Sequence, residues 1–305
     1  MKMQIYFMQT RSGLHCGIGQ GLSDIDQPVA RHSITGHPLV PGTTIKGVLR
    51  EYFEECNEQE LFAAAFGGLK KGESDFASAL AFTDSQLITL PARSYYGTYA
   101  HVSTPQILHF VKDEMIRAGF KDLPEIPQFP LSQETSEYHA AVSKNSRLLR
   151  GKTKTLLLEE LDLLVDVLSS KETDKWGELL AKQLFPDDTE GQKFFKEGFV
   201  LVDNDVLDFL CETALPVAAH NRINENGIVE DGALWYEEYV PAEAVFLGAI
   251  YAENARGKGY NHISAEDLLK KFCHHSLFLQ IGGNATTGRG LVSITFSLKG
   301  DADAE

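Results

Sequence analysis

Several things are scarce in this sequence, and each scarcity removes a class of protein. No apolar run approaches the roughly 18 residues of a membrane span. The opening MKMQIYFMQT has no long apolar core of a secretory signal, so the chain is expected in the cytoplasm, with no membrane partner. Cys16, Cys56, Cys211 and Cys273 lie far apart without CxxC spacing, which predicts reduced thiols rather than a disulfide framework. Cys273-His274-His275 is a poor metal site, because adjacent histidines at a helix end rarely reach one ion. Internal repeats and low-complexity tracts are absent. Positive charge is short as well: 28 Lys and Arg face 43 Asp and Glu, a net of −15.

That balance opposes polyanion binding if charge is spread evenly. It is not. Residues 1 to 50 carry five cations against two Asp, and 144 to 154, KNSRLLRGKTK, carry five cations and no acid. An acidic exterior with basic tracks suits a subunit that threads nucleic acid along one face, and it equally suits an ordinary acidic enzyme. With 305 residues and 43% hydrophobic content, the chain can bury a sizeable core as one elaborated domain or two.

What is present concentrates in residues 13 to 50. Gly13, Gly17, Gly19 and Gly21 form a pliable loop, followed by Asp24 and Asp26 amid Arg11, Arg31, Lys46 and Arg50. These acids are either salt-bridge partners, or a metal ligand and proton-transfer group. After the Pro41-Gly42 turn, Thr43 or Thr44 is expected to cap a helix over 43 to 56. Its apolar stripe is Ile45, Val48, Leu49, Tyr52 and Phe53, and Lys46 and Arg50 stack four apart beside it. Gly47 is costly inside a helix, which suggests close approach of another backbone. A helix N-terminus with two cations is a candidate phosphate site; a solvated helix face is the competing reading.

The remaining elements follow from periodicity. Strands are expected over 3 to 9, 79 to 84, 156 to 158, 199 to 202, 243 to 251, 276 to 281 and 291 to 297. Helices are expected over 58 to 66, from Thr104-Pro105 to Ala118, around Trp176 to Leu184, and after Ser264 with an Ile263/Leu268 staple. The segment 92 to 103 reads as a partly buried aromatic loop, and 121 to 140, with three prolines, as an extended connection. Two strand-like runs, 213 to 222 and 233 to 240, flank the polar NENGIVEDG with its Asn226-Gly227 turn, so a projecting hairpin is expected. Trp235, Tyr236 and Tyr239 on it are core aromatics or base-stacking platforms. The loop GGNATTGRG (282 to 290) contains no Gly-Lys-Ser/Thr and precedes a strand, so it is not a Walker loop; its main-chain N–H groups with Thr286, Thr287 and Arg289 still suit a phosphate cradle.

Three stretches resemble one family. They are residues 14 to 47 (Leu14-His15, Ile25-Asp26, Pro28, Arg31, Thr35-Gly36-His37-Pro38, Pro41-Gly42-Thr43-Thr44-Ile45-Lys46-Gly47), ALWYEEYVP at 233 to 241, and QIGGNATTGRGLV at 280 to 292. Their wording and order resemble the backbone subunit of type III-B CRISPR (Cmr) effector complexes, in the RAMP superfamily. The chain departs from that pattern at Gln27, Ala30 and His32, where the family usually has an apolar residue, a Gln and an acid.

The resemblance implies an α+β fold: a ferredoxin-like (RRM-type) palm with large insertions and a β-hairpin thumb. Residues 1–305 would form a single RNA-binding domain, with palm core 1–100 and 243–305, insertion 101–200 and thumb 213–240. It implies a guide-RNA-binding subunit that oligomerises head to tail with other subunits of the complex and cleaves target RNA with a divalent metal, Mg2+ or Mn2+. Asp26 would be catalytic and metal-ligating, with His15 secondary. RNA contacts would come from Arg31, Thr43, Thr44, Lys46, Gly47 and Arg50, and from Gly282, Gly283, Asn284, Thr286 and Arg289. Asn221, Arg222 and Trp235 would serve the thumb. A non-catalytic RNA scaffold and an unrelated small-molecule enzyme with a phosphate-binding loop are the rivals.

Overall fold

A computed structural model describes residues 1–19, 25–55, 58–68, 76–128, 137–151, 153–166, 169–226, 228–256, 259–274 and 276–297. Gly21, Asp24, Cys56, Gly227 and His275, named above, lie outside these residues. The first half contains β1 (Lys2–Thr10), β2 (Leu39–Val40), α1 (Gly42–Phe53), α2 (Gln59–Phe66), β3 (Leu80–Phe82), β4 (Ser85–Arg93), β5 (Tyr99–Ser103), α3 (Pro105–Arg117) and β6 (His139–Val142). Next come β7 (Thr155–Leu158), β8 (Leu161–Val165), α4 (Ser170–Leu184), α5 (Thr189–Gly198), β9 (Phe199–Val202) and α6 (Asn204–Thr213). The chain closes with β10 (Val217–Ile223), β11 (Val229–Glu238), β12 (Val245–Ala252), α7 (Ala265–Phe272), β13 (Leu277–Gln280) and β14 (Leu291–Phe296).

The fold is mixed α+β, built on one 12-stranded sheet in the order β13-β14-β1-β12-β4-β5-β9-β6-β8-β7, with β2 on β4 and β3 on β12. The strand β1 pairs antiparallel with β14 on one side and β12 on the other. Its residues 5 to 10 are all buried, not alternately as the sequence pattern suggests, since helices cover the sheet where β1 is central. Gly248 lies opposite Tyr6, and a Cβ there would strike the Tyr6 ring and hydroxyl, which pairs with the Ser85 hydroxyl at 2.7 Å. One small residue thus lets an aromatic lie flat between two core strands.

Other expectations need correction. Residues 92 to 103 form the end of β4, a turn and β5, not a loop; Gly97 and Thr98 turn the chain with φ of 71° and 72°. The strand at 156 to 158 belongs to the hairpin β7–β8, and helices α5 and α6 were not anticipated. Neither Thr43 nor Thr44 caps α1: the cap position is Pro41, and the Asp84 carboxylate accepts from the Gly42 N–H at 2.8 Å. Close backbone approach occurs at Gly42, where a Cβ would meet the Phe82 carbonyl, and not at Gly47, which is exposed with open space around it. The helix signals at 104 and 264 hold: Thr104 accepts from the Ile107 N–H at 3.2 Å, and Ser264 forms a reciprocal capping box with Asp267.

The hairpin β10–β11 stands as its own two-stranded sheet. Its loop is shorter than the nine polar residues suggested, because β11 starts at Val229; a register shift between Asn221 and Ile223 and a left-handed Gly232 (φ 73°) absorb the difference. The Asn224 side chain accepts from the N–H groups of Asn226 and Ile228 at 3.0 and 3.1 Å, which shapes the tip.

Candidate functional site

The root of this hairpin gathers the residues singled out from sequence. Cross-strand pairing puts Val217, Ala219 and Asn221 on one face with Glu238, Tyr236 and Leu234, and Ala218 and His220 on the other with Glu237 and Trp235. Two loop segments then pair along the lower part of β11. Leu14 and Val240 exchange backbone hydrogen bonds at 2.8 and 2.9 Å. Gln27 donates to the Tyr236 carbonyl at 3.1 Å and accepts from the Glu238 N–H at 3.0 Å.

Asp26 is fixed by that second pairing. It is exposed, and its Oδ2 accepts from the Tyr236 N–H at 2.8 Å, so one carboxylate oxygen is anchored to the hairpin strand. His15 is anchored two residues further along the same strand: its Nδ1 donates to the Glu238 carbonyl at 2.7 Å. Its Nε2 then faces Gly17, where any Cβ would strike it. Their anchoring residues, Tyr236 and Glu238, are therefore about 7 Å apart along one strand.

The glycine loop after β13 closes on the same root. The Gly283 N–H donates to the His15 carbonyl at 2.9 Å, and the Gly290 N–H to the Gly13 carbonyl at 2.8 Å. Gly282, Asn284, Gly288 and Gly290 all take left-handed φ between 61° and 80°. At Gly282 a side chain would collide with the His15 carbonyl. Thr286 is exposed on this loop, while the Arg289 guanidinium lies 3.9 Å from the Tyr239 ring centroid.

Two residues that sequence reasoning did not single out bind these parts together. Glu237 is 3% exposed; it accepts from the Asn284 side-chain amide and lies 3.6 Å from His15 and 3.8 Å from His220. Glu238 is 4% exposed and receives the Val29 N–H at 3.0 Å and Arg31 at 2.5 Å. The signal was present: two adjacent glutamates within an aromatic strand put one carboxylate on each face. Arg31 also donates to the carbonyls of Gly36 and Cys211, so it holds the loop rather than standing free. On the hairpin, Trp235 stacks on His220 at 5.6 Å and Tyr236 is 43% exposed, so neither is a core aromatic; Asn221 and Arg222 are exposed, Arg222 facing Glu230 at 3.7 Å.

The helix α1 carries its cations elsewhere. Lys46 donates to the Ser78 hydroxyl at 2.7 Å, and its pKa is lowered by partial burial and then by the neighbouring Arg50 charge. Arg50, Thr43 and Gly47 are exposed and Thr44 is half-buried. Among the described residues, α1 and the 282–289 loop share no hydrogen-bond partner.

Among the described residues no three His, Cys, Asp or Glu side chains form a group able to hold a metal ion. A hard cation wants about six oxygens; Asp26 supplies a single carboxylate, already accepting from Tyr236. The described residues do not fit a resident metal centre. Cys16, Cys211 and Cys273 are free and buried, each thiol pushed up to about 12 by burial, which removes them as nucleophiles. No described helix is long and apolar enough to cross a membrane.

One broad sheet, a separate hairpin, and two glycine loops meeting at its root characterise the molecule as a single sheet-based scaffold with an exposed carboxylate site. The chain belongs to the RAMP superfamily, whose model matches residues 7–293. It is 29% identical over 299 residues to the CRISPR system Cmr endoribonuclease Cmr4 of Pyrococcus furiosus, covering 97% of this chain and 96% of that protein. It is 24% identical to the CRISPR system CMR subunit Cmr4 of Saccharolobus solfataricus, covering 95% and 94%. A crystal structure of oligomeric Cmr4 from Pyrococcus furiosus superposes with a TM-score of 0.71 at 25% identity, covering 97% of this chain and 98% of that one.

Proposed function

We propose that this protein is the repeating backbone subunit of a type III-B CRISPR effector, which polymerises along a guide RNA in the cytoplasm and cuts the paired target RNA. The similarity to a protein named as an endoribonuclease, and to an oligomeric form of it, supports this reading. The four strands β14-β1-β12-β4, mutually antiparallel with α1 and α7 in the crossovers, are then the ferredoxin-like palm. The strands added beyond β4 are the insertion, and β10–β11 is the thumb.

The observation that carries the reading is Asp26, exposed yet tethered to the hairpin backbone. A hairpin inserted into the duplex splays one target nucleotide and brings its 2′-hydroxyl into line with the adjacent phosphorus. Asp26 accepts the 2′-hydroxyl proton as the new P–O2′ bond forms and the P–O5′ bond breaks, giving a cyclic phosphate and a 5′-alkoxide that takes a proton from water. Lys46, Arg50 and the 282–289 loop hold phosphates, and His15 orients the chain beside the break. The divalent ion implied by the resemblance finds one carboxylate here; Mg2+ or Mn2+ would draw its other ligands from RNA phosphates and water. No step above depends on it.

The test is Asp26→Asn in the assembled complex. Loss of one transition-state group is worth about 3–5 kcal/mol, or several powers of ten in rate, with RNA binding and Tm retained. A second reading, a non-catalytic RNA scaffold, is favoured by the same Tyr236 bond, which gives Asp26 a purely local role. Cleavage by Asp26→Asn at the wild-type rate, with Asp24→Asn as control, would remove Asp26 from the chemistry, and a wild-type complex that never cuts would leave only the scaffold reading.

A further inference from the structure

The basic run at 144 to 154 divides in two. Arg147 is half-buried and turned onto aromatic rings, its guanidinium 4.0 Å from the Phe194 ring and 5.2 Å from Tyr99. Lys144 and Lys154 stay exposed and border a cavity of about 650 Å³ between β6, β8 and α4. Lys171 and Lys175, on the first two turns of α4, line its other side. Asp174 is the acid in the lining, and it is engaged by Lys196 at 3.2 Å; Glu172 reaches Lys175 at 3.8 Å. Four lysines therefore line the cavity with one acid, Asp174, which Lys196 already engages.

Two further features point to an anion. The N-terminus of α4, a 15-residue helix, has no side-chain cap, because the Ser169 hydroxyl donates to Asp166 at 2.6 Å instead. Ser143 also lines the cavity; it is 2% exposed, and its hydroxyl has no hydrogen-bond partner among the described residues. A buried hydroxyl left so is costly, and a phosphate oxygen in the cavity would satisfy it. Val142, Leu149 and Val165 add an aliphatic wall suited to a sugar or base.

We propose that this cavity is a second phosphate site, taking a nucleotide either as part of an RNA strand or free. It goes beyond the palm reading and does not rest on it, since Lys46 and Arg50 lie on α1.

Lysine acetylation of the full-length protein, read by mass spectrometry, tests the site with three probes. They are single-stranded RNA of about ten nucleotides, adenosine monophosphate and inorganic phosphate. At about ten times the dissociation constant, Lys144, Lys154, Lys171 and Lys175 should label about tenfold more slowly, since only the empty site reacts. Lys193, well exposed, should label unchanged. Protection by RNA alone assigns the strand as source, and protection by the monophosphate assigns the free nucleotide; either supports the site. Protection should persist in Lys46→Ala/Arg50→Ala and weaken in Ser143→Ala, whose Tm should not fall. No protection by any probe overturns the proposal. So does RNA protection that disappears with the α1 cations while the monophosphate does nothing.

Discussion

At the scale of single residues, the groups hidden in the sheet are as informative as those at the surface. His101 is fully buried on β5, 4.4 Å from the Phe195 ring centroid, with Nδ1 lacking a hydrogen-bond partner. Burial, then the nearby Arg147 charge, lowers its pKa from 6.5 to about 3, against a backbone hydrogen bond at Glu243 that pushes the other way. The folded protein thus keeps a neutral imidazole where the unfolded chain binds a proton. The stability this provides is complete above pH 6.5 and is lost as pH falls towards about 3. Between pH 7 and 5 the loss should be about 2 kcal/mol at about 1.4 per unit. His101→Gln keeps a donor for Glu243 without titrating. Urea midpoints should therefore fall less steeply with acid in the variant, and parallel curves would refute the account. Asp26 differs in kind: its sequence neighbours expose it as a candidate, while the residue that anchors it, Tyr236, stands 210 positions away.

Among elements, α1 shows what is legible in sequence and what is not. Of its stripe, Ile45, Val48, Leu49 and Phe53 are buried or half-buried as the period requires, because a 3.6-residue repeat is local information, whereas Tyr52 at the helix end is 52% exposed. Its cap was misread because the acceptor, Asp84, comes from another turn of the sheet. The same division runs through the molecule. Thr104 and Ser264 cap from within four residues and were readable. Strand β4 and helices α5 and α6, and the two glutamates at the hairpin root, depend on partners distant in sequence. The cations of α1 make a direct prediction: with Lys46 half-buried on Ser78 and Arg50 exposed, they should meet phosphates rather than base edges if the proposed RNA track is right. Lys46→Ala/Arg50→Ala should weaken binding to unrelated guide sequences equally. It should also reduce the salt slope by about 1.4, at about 0.7 per single-strand phosphate. Filter binding across a salt series reads this, and an unchanged slope removes both residues from the RNA track.

At the scale of the whole molecule, charge and assembly pull against each other. Each copy carries −15, so copies repel at low salt, yet the filament proposed above needs them in contact. The attraction has apolar surface to draw on: Ile34 is 87% exposed, Tyr95 76% and Phe278 62%. Salt should then act in opposite directions on two associations of the same protein. RNA binding weakens as counterion release loses its gain. Self-association without RNA strengthens, because the Debye length shrinks from about 10 Å at 0.1 M to about 3 Å at 1 M, and repulsion between like-charged copies is screened. Sedimentation velocity on the RNA-free chain should show the weight-average mass rising from the 33.8 kDa monomer as salt increases. The same salt series with a guide-length RNA should show protein leaving the nucleic acid. A mass that falls with salt in the RNA-free arm would mean that ion pairs, such as exposed lysines against the acidic remainder, hold the copies together. The apolar account of the filament contact would then be wrong.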